Sequence, residues 1–495
     1  MIVAQEQAIF KAKTEFNEIL EAVRRAAGEG IPIDEVEKDL WSKMLSLGRA
    51  LLEGYVERQG NGDLGERVEY EGRSLRRLEG DRERRYVSVF GEITISRTVY
   101  GTRERQRHEV VPLDARLGLP ESDFSYLLQE WDQAFCVQGS YAESSRTVER
   151  ILGIGQSVRS LEHMNGAMAQ DVEAFRISQP TPVEEAEGAI LVATSDGKGV
   201  PMRRESEGAG PISHGRRKKG EKANTKREAC VGAVYSIEPF ERTAADVVDE
   251  VMRKQCRERR PMPQNKRVRA ELTREIDGEE VAGKEITFSW LAEQIRERGR
   301  NGAKALVCVM DGDRALWRMV AKYLKWAVCI LDLFHVMERL WAAAHCFHAE
   351  GSDEAEGFVK ERLERILEGE VGRVIGGLKQ MATKQKLKGT RRKRLDQAIG
   401  YLENNRGYMR YDEYLEKGYP IGSGVAEGAC RHLVKDRMEL TGMHWRTEGA
   451  QAMLDLRAVY LNDDWDAFHE HRVEMNTCEL YPYRRQIQAE WRMAA

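Results

Sequence analysis

Two apolar runs of this 495-residue sequence end in an aspartate followed at once by glycine: Ser195-Asp196-Gly197 and Met310-Asp311-Gly312. The ends of strands in an open α/β sheet are where ligands and reacting groups collect, and a glycine beside the acid lets other groups approach the backbone closely. A third acid, Glu427, falls in the first turn of a helix expected over 425–440, behind the turn-rich stretch Gly418-Tyr-Pro-Ile-Gly-Ser-Gly424. Arg431 and Lys435 follow at four-residue steps on the same helix face. Three convergent carboxylates repel one another and resist ionising together unless divalent cations neutralise them. Mg²⁺ suits them, with Mn²⁺ as a substitute, because it takes oxygen ligands and joins a few carboxylates to a substrate phosphate. Two such ions, roughly 3.5–4 Å apart, activate the attacking oxygen and stabilise the leaving oxygen of an in-line displacement at phosphorus.

Each acid also has a plainer reading. An Asp-Gly pair alone is a turn signal. Asp313 competes with Asp311, but it lies beyond the apolar run, where it can cap the next helix. Glu427 with Arg431 could be a surface ion pair worth roughly 0.3–0.5 kcal/mol. The joint occurrence of acids at two strand ends favours the chemical reading.

That chemistry needs a phosphodiester, and basic segments are available to bind one. Residues 216–227, which include Arg216, Arg217, Lys218 and Lys219, hold seven basic residues against one acid; residues 373–394 hold nine and no acid; residues 253–269 form a third basic run. The whole-chain net charge of −4 hides this, because residues 1–200 sum to −10, 201–400 to +10 and 401–495 to −4. A basic middle beside a carboxylate site fits a path for a nucleic-acid backbone.

The segments Ala193-Thr-Ser-Asp-Gly-Lys-Gly199, Val309-Met-Asp-Gly-Asp-Arg-Ala-Leu-Trp317, Leu331-Asp-Leu-Phe-His-Val-Met-Glu-Arg-Leu340 and Gly422-Ser-Gly-Val-Ala-Glu-Gly428 resemble DDE transposases of bacterial insertion sequences. The likeness is to the ISKra-type group, with more distant similarity to Mutator-like elements. It implies an RNase H-like catalytic core in which Asp196, Asp311 and Glu427 hold two Mg²⁺ ions, with an all-α insertion at 337–415. It further implies an Asp-x-x-His signature at Asp332 and His335 that organises the site or contacts DNA. The partner would be double-stranded DNA, both element ends and target, bound by a homodimer or higher oligomer. A nuclease or resolvase that only hydrolyses, and a catalytically inactive DNA-binding regulator, are the alternatives.

The elements that must hold these residues can be read from periodicity. Apolar runs at 189–195, 229–235, 305–310 and 327–331 read as strands, and the helical period between the last two makes a strand-helix-strand crossover with parallel pairing. The fold class is therefore α/β, preceded by a mainly helical N-terminal region with a β-hairpin around Gly91. Residues 141–172 have the proportions of a helix-turn-helix, broken at Gly153-Ile-Gly155 and reopened by Ser157, with Val158, Leu161, Met164, Met168 and Val172 on one stripe. The same pattern also suits ordinary packing of two amphipathic helices. The expected divisions are 1–110, 111–180, 181–475 and a tail at 476–495. No run of 18 apolar residues occurs and no apolar leader opens the chain, so a cytoplasmic, nucleoid-associated protein is expected. Eight cysteines never closer than seventeen residues make no C-x-x-C half-site, and Cys230, Cys308 and Cys329, inside apolar strand-like runs, read as reduced core residues.

Overall fold

The computed structural model describes residues 2–102, 109–203, 226–252, 260–299 and 304–487, with side chains from residue 10. The chain divides into two compact units, Met1–Phe175 with Asp464–Ala495, and Arg176–Asp463. Of the 111–180 segment, residues 111–175 thus share a unit with the N-terminal region, and so does the last stretch of the chain from residue 464.

In the first unit, α1 (Ile2–Glu29) and α2 (Ile33–Arg58) pack through Ala12, Ile19, Leu47 and Ala50. Strands β1 (Arg67–Tyr70) and β2 (Arg73–Arg77) pair with each other, and β3 (Arg82–Ser88) and β4 (Gly91–Arg97) form the expected hairpin, closed at Ser88↔Gly91. A short β5 (Tyr100–Gly101) joins β2, and α3 (Pro112–Leu117) follows. Next come α4 (Tyr126–Cys136), α5 (Tyr141–Leu152) and α6 (Val158–Ala169). Gly153 ends α5 at φ 70°, and the Ser157 side chain accepts from Ser160 N to open α6. Leu161, Met164 and Met168 are buried as the stripe required, but Val158 is exposed and Val172 belongs to the next helix, α7 (Val172–Ser178). The apolar period ran across a helix break at Gln170 and Asp171 that it could not register.

A buried acid fastens the α5–α6 turn. Asp132 on α4 is fully buried and accepts from Gln156 Nε2 at 2.7 Å, while Ser145 Oγ donates to the Gln156 carbonyl at 2.6 Å. Burial pushes the Asp132 carboxyl up to about 7, against the opposing Gln156 hydrogen bond. A carboxyl raised in the folded state lends stability while protonated and loses it as pH rises through the folded value. Wild type should therefore lose on the order of 2–4 kcal/mol between about pH 4 and 7, with little further loss above, that Asp132→Asn retains; parallel denaturation midpoints in the two proteins across that range would contradict this.

The second unit is built on a five-stranded sheet of order β12-β11-β6-β7-β8. Its strands are β6 (Ile190–Pro201), β7 (Lys226–Ile237), β8 (Gln264–Leu272), β11 (Ala305–Met310) and β12 (Val328–Leu331); β9 (Arg274–Ile276) and β10 (Glu279–Val281) form a separate small hairpin. β6 pairs in parallel with β11, and β11 with β12, whereas β6–β7 and β7–β8 are antiparallel, so β7 alone runs against the rest. Helices α8 (Ala244–Val251), α9 (Gly283–Arg298) and α10 (Arg314–Tyr323) connect the strands. β8 was hidden in the basic run at 253–269. There Arg269 is buried and ion-paired to Glu271 at 2.5 Å, and Arg267 donates to the Asn462 carbonyl, so these two charges hold the fold together. Arg260, ahead of β8, pairs with Glu250 at 2.5 Å, and residues 253–259 lie outside the described residues.

Between β12 and Glu427 stand five helices: α11 (Leu333–Ala344), α12 (Asp353–Leu367), α13 (Val371–Lys384), α14 (Gly389–Asn404) and α15 (Tyr411–Glu416). Their Leu340, Leu363, Leu378, Leu402 and Tyr411 belong to the same buried cluster as Val307, Val309 and Ile330 of the sheet. The chain continues through α16 (Gly424–Ala429), a π-helical segment Cys430–Lys435, α17 (Asp436–Met438) and α18 (Thr447–Leu461); α19 (Trp465–Leu480) then belongs to the first unit. Among the described residues, no helix is long and apolar enough to cross a membrane.

Candidate active site

The sheet register aligns the acids. β6 and β11 pair from Ala305↔Ile190 to Val309↔Thr194, and β11 and β12 from Val307↔Val328 to Met310↔Leu331. Carried two residues further, the first register sets Asp311 beside Asp196; carried one further, the second sets Asp332 beside Asp311. Neighbouring strands lie roughly 4.8 Å apart, so the three acids stand in one row. Asp311 and Asp332 directly follow the ends of β11 and β12, whereas Asp196 lies within β6, which does not end there as the sequence suggested but continues to Pro201 paired with β7. Below that row Thr194 Oγ1 donates to the Val309 carbonyl at 2.8 Å, and Asp332 N donates to the Met310 carbonyl at 2.8 Å.

Each acid has its own surroundings. Asp311 accepts from Asp313 N at 2.8 Å, and its carbonyl accepts from the Tyr401 hydroxyl at 2.5 Å. Asp313 itself caps α10 through Ala315 N and lies 3.4 Å from Lys284. Asp332 is 0% exposed. Its Oδ1 accepts from the backbone N–H of Phe334 and His335, and its Oδ2 from that of Ser423; Leu333 N in turn donates to the Ile421 carbonyl. One carboxylate thus caps α11 and fastens the segment that leads into α16, which carries Glu427.

Glu427 is solvent-exposed, and its carboxylate, the His335 ring and the Asp332 carboxylate offer ligand atoms all within 4.8 Å of one another. This tight set differs from the one the resemblance implied, although the remaining acids stand close enough to act on it. Burial pushes the Asp311 carboxyl up, the Asp196 charge adds to this and His335 opposes it. Burial likewise raises Glu427, with Asp332 and Asp196 adding and His335 opposing. Buried beside the row, the Cys430 thiol is pushed well up by burial and by the Asp196 carboxylate to which it hydrogen-bonds.

Sequence periodicity called for one continuous helix over 425–440; the π turns at Cys430–Lys435 interrupt it. Arg457 stabilises the widened turn, donating from Nε to the Leu433 carbonyl at 2.8 Å and from a terminal nitrogen to the His432 carbonyl. π segments often mark functional sites, and this one leaves the expected face in place. Exposed positions recur every four residues at 427, 431 and 435, so Glu427, Arg431 and Lys435 all face solvent. Arg431 lies 3.7 Å from Asp436. Arg216, Arg217, Lys218 and Lys219 lie outside the described residues.

Tyr401, Ser423 and Cys430 escaped sequence reasoning. Each reaches the acids from a remote helix or through a backbone N–H, and neither leaves a pattern in the sequence.

The donors suit Mg²⁺ or Mn²⁺: oxygen-rich, with one imidazole and with two carboxyls whose ionisation the surroundings oppose. A divalent cation among them would reverse that opposition. Without metal, the raised Asp311 and Glu427 carboxyls cost stability as pH rises out of the ordinary carboxylate range. The rise in Tm on adding Mg²⁺ should therefore be larger at pH 8 than at pH 5 and should shrink in Asp311→Asn; a pH-independent rise would contradict it.

No protein-family model matches the chain, and a search of characterised proteins finds no match either.

Proposed function

We propose that the chain is a DDE-type transposase. It would bind the ends of an insertion sequence, cut their phosphodiester bonds with Mg²⁺ and join the freed 3′-hydroxyl to target DNA, on an RNase H-like core with its helical insertion at 337–415. The observation that carries the reading is the row of Asp196, Asp311 and Asp332 across three parallel strands, with Glu427 held against it. A five-stranded sheet in which only the second strand is reversed supports it further.

Asp196, Asp311 and Glu427 would hold the metal, which supplies an activated oxygen nucleophile and charge stabilisation at phosphorus. The chain's own part is positional: Asp332 sets the Glu427 helix against the row, and exposed Arg431 and Lys435 steady phosphates. Both element ends must be processed, which makes a homodimer or higher oligomer on double-stranded DNA the expected assembly.

A donor duplex cut beforehand to expose its 3′-hydroxyl, incubated with plasmid and Mg²⁺ or Mn²⁺, tests the reading. Joined donor–plasmid products are expected. Plasmid nicking without joining would replace this reading with the hydrolytic nuclease, and salt-sensitive DNA binding without any chemistry would replace it with the regulator.

A further inference from the structure

Beside Asp311, between α10 and α14, lies a cavity of about 660 Å³, a volume typical of small-ligand sites. Gly312 lines it at φ 88°, where an added Cβ would come within 2.9 Å of both Leu331 Cδ1 and the Tyr401 hydroxyl. Glycine is what allows the strand end to lie this close to α14. Trp317 and Tyr408 also line the cavity, stacked with ring centroids 4.2 Å apart and planes inclined by 23°. The Trp317 Nε1 is buried and has no hydrogen-bond acceptor. The amides of Asn404 and Asn405 and the exposed guanidiniums of Arg314 and Arg318 complete the lining.

These groups together form the chemistry that recognises a nucleotide. The half-buried Tyr408 ring, backed by Trp317, stacks on a base, the exposed Asn404 amide pairs with its edge, and the two guanidiniums take its phosphate, while the Asn405 amide donates to the Tyr401 carbonyl and supports the wall. A base inside a duplex presents neither its faces nor its pairing edge, so the ligand must be unpaired. We propose that this cavity receives one unpaired nucleotide of the DNA strand whose phosphodiester lies at the carboxylate row, an inference that rests on the DNA-processing function above. Tyr401 links the two places, lining the cavity while its hydroxyl holds the Asp311 carbonyl.

The full chain, without divalent metal, is titrated with duplexes carrying 2-aminopurine either base-paired or at a single unpaired position, and with the free 2-aminopurine nucleotide. Quenching is expected on the unpaired probe and absent on the paired one. Tyr408→Ala, and separately Arg314→Glu with Arg318→Glu, should weaken binding of the unpaired probe about 5- to 100-fold while paired-duplex affinity stays within about twofold. The arginine positions are exposed, so the double variant decides the matter even if Tyr408→Ala unfolds. Equal quenching of both duplexes, quenching that survives the double arginine variant, or quenching confined to the free nucleotide would overturn the proposal. The readout needs no cleavage. Position-dependent quenching by a protein that never cuts DNA would overturn the transposase reading alone, and cutting without such quenching would overturn the cavity assignment alone.

Discussion

Asp196→Asn and Asp311→Asn should each lower Mg²⁺-dependent strand cleavage by at least about a thousandfold, with DNA retention in a gel unchanged within about twofold. Asparagine preserves the shape of the side chain and one oxygen but removes the charge that a hard cation requires. Unfolding is not the cause of the loss, since the site carries mutual repulsion: burial and the Asp196 charge both oppose ionisation of Asp311. Removing either charge relieves that repulsion, so the metal-free Tm of both variants should match or exceed that of wild type at neutral pH. Cleavage at the wild-type rate in either variant would end the assignment of these two residues.

Asp332→Asn should behave in the opposite way, failing first in stability. Its two oxygens accept from three backbone N–H groups, of Phe334, His335 and Ser423, in a site closed to water. An amide must turn its NH₂ toward at least one of those donors, leaving a buried N–H without an acceptor. Hydrogen bonds to a charged group are worth about 1.5–3 kcal/mol each, so a loss of about 2–4 kcal/mol is expected in the urea midpoint. Amide exchange at Ser423 and along α16 should quicken, and cleavage should fall because Glu427 is no longer held in register with the row. A variant of wild-type stability with protected Ser423 would show that the fastening is incidental.

The parts of the fold legible in the sequence are those where one physical signal dominates. The near-continuous apolar runs of β6, β7 and β11 announce strands covered on both faces, and the helical period of Leu316 and Val320 between β11 and β12 announces a parallel crossover. β8 was illegible because its inward charges are neutralised within the fold: Arg269 looks like a solvated basic residue until Glu271 is seen beside it. The π segment was illegible because one widened turn shifts the exposed face too little to disturb the four-residue recurrence at 427, 431 and 435. At the site, Asp196 and Asp311 could be found because Asp-Gly follows an apolar run. Tyr401 could not, since it reaches Asp311 across ninety residues of sequence.

The same long separations bear on the order in which the protein is made. Asp196 meets Asp311 only through a strand pairing that spans more than a hundred residues, and the Asp332–Ser423 contact spans another 91. Contacts this distant close late and slowly, because the intervening chain must first be ordered. On the ribosome, Asp196 emerges long before its partners, and the helices from α11 to α15 must emerge before Ser423 can reach Asp332. A nascent chain therefore has its acids dispersed, and the complete set comes into being only once synthesis has passed Glu427.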